Sequence, residues 1–180
     1  VNRVVKDANA NAEVLNNSQY VVNQQQYLPN WDIYPAAGDV DAANAILDAA
    51  GWTRGSDGVR QKGKTRLAFT VGTTSGNQAR ILSEQIMQQQ FEKIGVKLTI
   101  KNAPDILDTN MVGFDYQTII FAWVGGPDPY QGNVIWLSSA IPAKCSTRLA
   151  KAYECDYSGQ NYTKVKDPQV DSYLNATDKE

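Results

Sequence analysis

The chain has 180 residues, of which 42% are hydrophobic and 20% charged, a balance typical of one globular domain with a buried core. Its formal net charge of -2 and the scattered Lys and Arg residues argue against nucleic acid as a partner. The sequence contains no histidine, so the commonest general base and the commonest catalytic metal ligand are absent. No apolar run approaches the roughly 20 residues that a membrane-spanning helix needs.

A helix is predicted over residues 1–15, because apolar residues recur there at helical spacing. No capping side chain precedes Val1, and a natural terminus rarely begins inside an amphipathic helix. We therefore expect the chain to be a piece of a longer protein. Residues 16–38 keep no steady period and predict an extended connection. The residues on the predicted helical face are Val1, Val4, Val5, Ala8, Ala12 and Leu15.

Residues 39–52 predict a second helix with a signal at each end. Asp39 is a suitable N-cap, and Gly51 is suited to the left-handed position that follows a helix. Trp52 then lies over Leu47, which gives this tryptophan a structural role.

Residues 54–100 predict a hairpin followed by a strand, a helix and a second strand. The turn pairs Asp57-Gly58 and Lys62-Gly63 mark the hairpin, and alternating apolar residues follow at 67–71. A helix of about twenty residues ends before Gly95, and a second alternating strand begins there. Because a helix joins the two strands, they are expected to be parallel.

The rest of the chain predicts a short helix, a strand and a last helix. The short helix is entered at Pro104 and ends at Gly113, and residues 114–123 predict a central strand of the sheet. Near the end, Asp167 can cap a helix whose first residue is Pro168 and which continues to residue 180. The predicted fold class is α/β, with a mixed, partly parallel sheet flanked by helices.

Cys145 and Cys155 are the only cysteines and lie in a polar stretch. A disulfide between them would close a short loop and add about 3 kcal/mol of stability by the chain-entropy model. Two reduced thiols are the alternative, but a polar surface loop is a poor environment for free cysteines. We predict the disulfide, which is typical of an oxidising compartment.

No pattern in the sequence predicts catalysis or a metal site. Asp105 and Asp108 lie one helical turn apart, as do Asp39 and Asp41 with looser spacing. Acids at helix starts are expected from capping and the helix dipole alone. Phosphate-binding glycine motifs and the G-x-S-x-G nucleophile motif do not occur.

The stretch IIFAWVGGPDPYQGNVIW, residues 119–136, follows the predicted central strand. In open α/β sheets, ligands bind beyond the carboxyl ends of the strands. Gly125 and Gly126 would let the backbone approach a ligand closely, while Trp123 and Tyr130 offer flat amphipathic surfaces. A rigid corner with core aromatics is the alternative interpretation.

The order of several segments resembles one known family. DVDAANAILDAAGW, SDGVRQKGKTRLAFTV, FEKIGVKLTIK, GFDYQTIIFAWVGGPDPYQGN and NYTKVKDPQVDSYL follow one another in the chain. This succession is similar to the C-terminal lobe of ABC-transporter solute-binding proteins of family 5, which bind oligopeptides, dipeptides and nickel. The resemblance covers nearly the whole chain. It implies a single lobe over residues 1–180, of a type II (class C) periplasmic-binding-protein-like fold, with helices at both ends (1–15 and 168–180).

The resemblance also implies site residues. In peptide-binding relatives, a tryptophan of the strand-end loop contacts the ligand, and Trp123 matches it. An aspartate three residues later pairs with the peptide amino group in those relatives, and Gly126 stands at that position. Asp128 could replace it only if the loop bends differently. The predicted ligand-binding residues are Trp123, Gly125, Gly126, Asp128, Tyr130, Thr74 and Arg148.

The implied function is non-catalytic solute binding by closure of two lobes. The implied partners are a peptide or other small solute, the N-terminal lobe of the same protein and the membrane permease of an ABC importer, with no cofactor. We expect the isolated lobe to be a monomer and the full-length protein to be extracytoplasmic and lipid-anchored. An envelope accessory or regulatory protein with the same fold is the alternative function. A hydrolase is the least favoured, because no nucleophile has a partner base.

Overall fold

A computed structural model describes residues 20, 22–25, 27–29, 38–123, 132–142 and 159–176. The chain divides into two compact units. The first comprises residues 1–104 and 117–120, and the second comprises residues 105–116 and 121–180. The predicted helix over residues 1–15, most of the predicted connection that follows it, Cys145 and Cys155 lie outside the described residues.

The first unit begins with helix α1, Val40–Ala49, which has the two end signals read from the sequence. The backbone N–H of Ala42 donates to Asp39 Oδ1 at 2.8 Å, so Asp39 is the N-cap. Gly51 has a φ of 82°, and the Trp52 N–H donates to the Leu47 carbonyl at 2.9 Å. Both predicted caps are confirmed.

A small antiparallel sheet follows α1. Its strands are β1 (Thr53–Arg54), β2 (Arg60–Lys62) and β3 (Thr65–Arg66), in the order β1-β2-β3. The predicted turn at Asp57-Gly58 lies between β1 and β2, and the predicted turn at Lys62-Gly63 lies between β2 and β3, so both turn signals are confirmed.

The main sheet of the first unit is parallel and three-stranded. Strand β4 (Ala68–Gly72) leads through helix α2 (Gln78–Lys93) to β5 (Lys97–Ile100), and Ala68 pairs with Lys97 in parallel register. Strand β6 (Thr118–Ile119) pairs with the other edge of β4, again in parallel. The predicted parallel crossover and the α/β fold class are confirmed.

The predicted central strand over residues 114–123 is wrong in length and position. The strand order is β5-β4-β6, so β4 is central and the two-residue β6 lies at an edge of the described sheet. Phe114 has a φ of 52°, which a bulky side chain rarely adopts and which stops an extended strand. The Asp115 N–H donates to the Asn110 carbonyl at 2.8 Å, so the start of the predicted strand is a turn.

Arg60 is only 2% exposed, and all three nitrogens of its guanidinium group donate hydrogen bonds. Its Nε donates to the Ile94 carbonyl at 2.8 Å, and its Nη2 donates to Asn44 Oδ1 at 2.9 Å. The remaining nitrogen, Nη1, donates to Asp48 and to the Trp52 carbonyl. Arg60 therefore ties β2 to α1 and to the end of α2.

The described part of the second unit contains three short helical segments and one longer helix. Leu107–Met111 is a π-helical turn, where the prediction was a short helix, and the Met111 N–H donates to the Ile106 carbonyl at 2.9 Å. Helix α3 (Asn133–Trp136) and a 3₁₀ turn (Ser138–Ala140) precede α4 (Pro168–Ala176). The Gln169 N–H donates to Asp167 Oδ1 at 2.8 Å, so the predicted cap of α4 is confirmed.

Hydrogen bonds join α3 and its following turn to α4. Asn133 Nδ2 donates to the Leu174 carbonyl at 3.0 Å, and the Ser138 N–H donates to Asp171 Oδ1 at 2.7 Å. Hydrogen bonds from the Ser138 side chain and backbone hold the pKa of Asp171 below its usual range. These contacts fix α4 against the 132–142 segment.

Candidate functional site

Trp123 lies in the second unit and has an aromatic support. Its ring is stacked on Tyr162 at a centroid distance of 6.2 Å and an interplanar angle of 11°, and the edge of Phe121 meets it at 5.0 Å. Trp123 is 40% exposed, whereas Tyr162 is 8% exposed. The indole therefore combines a fixed orientation with an accessible surface, as a ligand-stacking side chain requires.

Further aromatic residues pack around Tyr162. We call Phe114, Tyr116, Phe121, Trp123 and Tyr162 the aromatic cluster; Phe114 lies 6.2 Å from Tyr162 and 6.5 Å from Tyr116. The Tyr116 hydroxyl donates to the Tyr162 carbonyl. Burial raises the pKa of Tyr116, and the neighbouring Tyr162 adds a smaller effect in the same direction. The Tyr116 hydroxyl therefore keeps its proton and remains a donor.

Asn161 fixes the backbone that presents Tyr162. It is fully buried, and its Nδ2 approaches the carbonyls of Trp136, Leu137 and Val165 at 3.0–3.1 Å. Its Oδ1 accepts from the Thr163 hydroxyl at 2.7 Å. Because both polar atoms of this buried amide have hydrogen-bond partners, Asn161 fixes the local backbone conformation. Tyr162 is the next residue.

Lys164 and Phe114 form an unusual pair. The Lys164 ammonium lies 3.7 Å from the centre of the Phe114 ring, within the range of a cation–π interaction. Both residues have left-handed backbones, with φ of 58° and 52°, and they are the two described non-glycine residues that do. Such backbones persist where the surrounding contacts favour them, and this pair supports the edge of the aromatic cluster.

The first unit carries a buried polar network at the carboxyl ends of its parallel strands. The Thr73 N–H donates to Asn102 Oδ1 at 2.9 Å, and the Thr73 hydroxyl donates to the Ile120 carbonyl at 2.7 Å. Asn102 Nδ2 donates to Glu84 Oε2 at 2.7 Å. Thr73 and Glu84 are fully buried, and burial raises the pKa of Glu84. We call Thr73, Glu84, Asn102 and Ile120 the strand-end network.

Two of the predicted site residues fall within the described part of the chain. Trp123 belongs to the second unit, and the half-buried Thr74 belongs to the first, where it forms a parallel bridge with Ala103. The predicted site residues that lie outside the described residues are Gly125, Gly126, Asp128, Tyr130 and Arg148.

Sequence reasoning missed the residues that support these positions. Tyr162 lies far from Trp123 in the chain, and nothing in its local pattern indicates the stack. Asn102 carried a usable signal, because it is a polar residue two positions after a strand of a parallel sheet. Glu84 carried none, because a single glutamate in a helix is usually exposed.

The described residues offer no three His, Cys, Asp or Glu side chains grouped closely enough to hold a metal ion. Over the same residues, every helix is too short or too polar to cross a membrane.

Comparison with known protein families identifies the kind of protein. The sequence model of the bacterial extracellular solute-binding proteins, family 5 (middle region), matches residues 2–143. The chain belongs to this family. Its members are extracellular or periplasmic solute-binding proteins and not enzymes.

Family 5 relatives resemble the chain in sequence and in fold. The oligopeptide-binding protein AppA of Bacillus subtilis is 27% identical over 151 residues, which cover 72% of this chain and 27% of AppA. The structure of AppA in complex with a nonapeptide aligns at a TM-score of 0.74 and 21% identity, covering 97% of this chain and 32% of that one.

Two further structures bind different solutes. A periplasmic oligopeptide-binding protein of Thermotoga maritima, bound to mannohexaose, has a TM-score of 0.75 at 19% identity and covers 99% of this chain and 33% of that one. NikZ of Campylobacter jejuni, in complex with Ni(L-His), has a TM-score of 0.61 at 23% identity and covers 77% of this chain and 25% of that one. The chain thus spans about a quarter to a third of these family 5 proteins.

Proposed function

We propose that this chain is a ligand-binding lobe of an extracytoplasmic solute-binding protein that serves an ABC importer. The single observation that carries the proposal is Trp123, which is 40% exposed and stacked on the buried Tyr162 in a chain of family 5. It comes three residues after Ile120, whose N–H and carbonyl are both hydrogen-bonded to the end of β4. A rigid aromatic surface at this point in the chain is suited to cover one side of a solute.

The second lobe of the same protein would cover the opposite side. Binding would then proceed by hinge closure, because the solute contacts both lobes only in the closed state. The closed protein would present the solute to membrane permease subunits. We propose an extracytoplasmic location with lipid anchoring for the complete protein, and a monomeric state for the isolated lobe.

A peptide or a related small solute is the proposed ligand. Relatives were solved with a nonapeptide, with mannohexaose and with Ni(L-His), so the family fold accepts several chemistries. Gly126 stands where the resemblance places a carboxylate for a peptide amino group. Without that carboxylate, a buried ammonium would lose a partner, at a cost of several kcal/mol. We therefore propose that stacking on Trp123 and hydrogen bonds to the backbone and Asp128 determine the orientation of the solute, together with Tyr130, Gly125, Arg148 and Thr74.

The experiment that tests this function is native mass spectrometry of the complete protein as purified. We expect an added mass that disappears on denaturation and that identifies the solute. A binding protein with a slow dissociation rate retains its ligand through purification.

The control is the same protein after unfolding, dialysis and refolding, which should regain a shift in melting temperature when the released solute is restored. The proposed function would be contradicted if the complete protein carried no added mass and its melting temperature did not change when a nonapeptide, mannohexaose or Ni(L-His) was added.

A further inference from the structure

Glu84 has no role in the proposed binding surface, yet its burial is complete. The side chain lies on α2, is 0% exposed, and has one hydrogen-bond partner, Asn102. Among the described residues, its second oxygen, Oε1, finds no hydrogen-bond partner. A buried oxygen without a hydrogen bond is destabilising, so the position does not serve stability alone.

The amide of Asn102 can adopt one orientation in this environment. Its Oδ1 accepts from the Thr73 N–H, and its Nδ2 donates to Glu84 Oε2. A flipped amide would direct its NH₂ group at the Thr73 N–H and its oxygen at Glu84, which would lose both bonds. Glu84 therefore fixes which atom of Asn102 faces Thr73.

Thr73 transmits this constraint to Ile120. The Thr73 hydroxyl donates to the Ile120 carbonyl at 2.7 Å, and the Ile120 N–H donates to the Gly72 carbonyl at 2.8 Å. The peptide groups on both sides of Ile120 are thereby held to the end of β4. Phe121, Ala122 and Trp123 follow directly in the chain.

We infer that Glu84 is a positioning residue of the solute site: through Asn102 and Thr73, it fixes Ile120, from which the Trp123 segment departs. The inference rests on the proposed function only for the role given to Trp123. Glu84 acts through Asn102 and Thr73 and does not itself touch the proposed solute.

The chemistry of Glu84 suits a positioning role. Burial raises its pKa, the hydrogen bond from Asn102 opposes that shift, and no ion pair to Glu84 exists among the described residues. A neutral carboxyl and a glutamine side chain offer the same acceptor oxygen to Asn102 Nδ2. Glu84→Gln is therefore the conservative variant, and Glu84→Leu removes the acceptor while filling similar volume.

Hydrogen exchange of the complete protein without solute tests the inference directly. We expect Glu84→Leu to accelerate exchange in residues 117–123 about tenfold relative to residues 53–66, which lie outside the network, because the Ile120 amide would open more often. Glu84→Gln should stay within about twofold of the wild type. If only the volume of the side chain mattered, Glu84→Leu and Glu84→Gln would give the same exchange rates.

A double-mutant cycle tests the order of the contacts. Asn102→Leu should accelerate the same segment, and Glu84→Leu combined with Asn102→Leu should add little beyond either change, because both break one pathway. Thr73→Val removes only the hydroxyl that holds Ile120 and should also accelerate exchange in residues 117–123. It provides the test if Glu84→Leu does not fold.

Two results would overturn the inference: wild-type exchange in residues 117–123 for Glu84→Leu and Thr73→Val, or the same acceleration in Glu84→Gln as in Glu84→Leu. The proposed function fails separately. A wild-type complete protein that retains no solute and shows no melting shift with a nonapeptide, mannohexaose or Ni(L-His) contradicts the proposed function, whatever the exchange result, because exchange is measured without solute.

Discussion

Arg60→Ala is expected to lower the free energy of unfolding by about 2–3 kcal/mol, since it removes a buried side chain whose guanidinium donates to the Ile94 and Trp52 carbonyls. Arg60 is 2% exposed and its donors satisfy Asn44, Asp48 and the Ile94 carbonyl. Truncation removes the Arg60 donors of the Ile94 and Trp52 carbonyls and leaves a cavity beside β2, whereas Arg54 still donates to Asn44 and Asp48 is largely exposed to water. Urea unfolding of the 180-residue chain, followed by circular dichroism, measures the change.

Arg66→Ala is the matched control, because Arg66 also pairs with an aspartate in the same small sheet. The Arg66 and Asp57 side chains are 45% and 53% exposed, and exposed pairs contribute little. The control should shift the urea midpoint only slightly. Equal midpoints for Arg60→Ala and Arg66→Ala would contradict the central role given to Arg60.

The pH dependence of the Arg60 variant gives an independent check. The hydrogen bond from Arg60 is the main cause that holds the pKa of Asp48 below its usual value of 3.8. The folded state therefore binds fewer protons at Asp48 than the unfolded state. The resulting stabilisation is present above that usual value and is lost as pH falls through the lowered one. Arg60→Ala should remove this part of the acid sensitivity.

Trp123→Ala is expected to weaken solute binding by the complete protein about 10–100-fold, the effect of truncating a buried aromatic anchor. The physical reason is the loss of a flat surface that Tyr162 and Phe121 hold in place before the solute arrives. Isothermal titration with the solute released from the purified protein measures the change.

Trp136→Ala is the control for this experiment. Trp136 is 37% exposed, close to the 40% of Trp123, but lies on α3 and is not stacked on Tyr162. We expect it to bind solute with nearly wild-type affinity. Equal losses in the two variants would show that Trp123 has no special place in binding.

The parts of the fold that the sequence predicts are those with local signals. Asp39, Gly51 and Asp167 lie within a few residues of the backbone groups they satisfy, so the ends of α1 and the start of α4 were predicted correctly. The alternation in β4 and β5, with a helix between them, was enough to predict a parallel crossover.

The parts that it did not predict depend on distant contacts. The length of the strand over residues 114–123 was overestimated because Phe114 has a left-handed backbone. The Phe114 ring contacts Lys164, which lies fifty positions later in the chain. Burial of Arg60 and Glu84 depends on Ile94 and Asn102, whose contacts a local pattern cannot show. In the candidate site, Trp123 was predicted from its place after a strand, but its support by Tyr162 was not.

A comparison of melting shifts tests most directly the claim that solute is enclosed between this lobe and a second one. The solute released from the complete protein is added to that protein and to the isolated 180-residue chain, at equal concentrations. Ligand binding to the folded state stabilises it by RT ln(1 + L/Kd), where L is the ligand concentration, so at a fixed ligand concentration tighter binding raises the melting temperature more. We expect a clear rise for the complete protein and none for the isolated chain, which lacks half of the enclosure. A rise of equal size in the isolated chain would contradict the shared site and place the whole binding surface on this lobe.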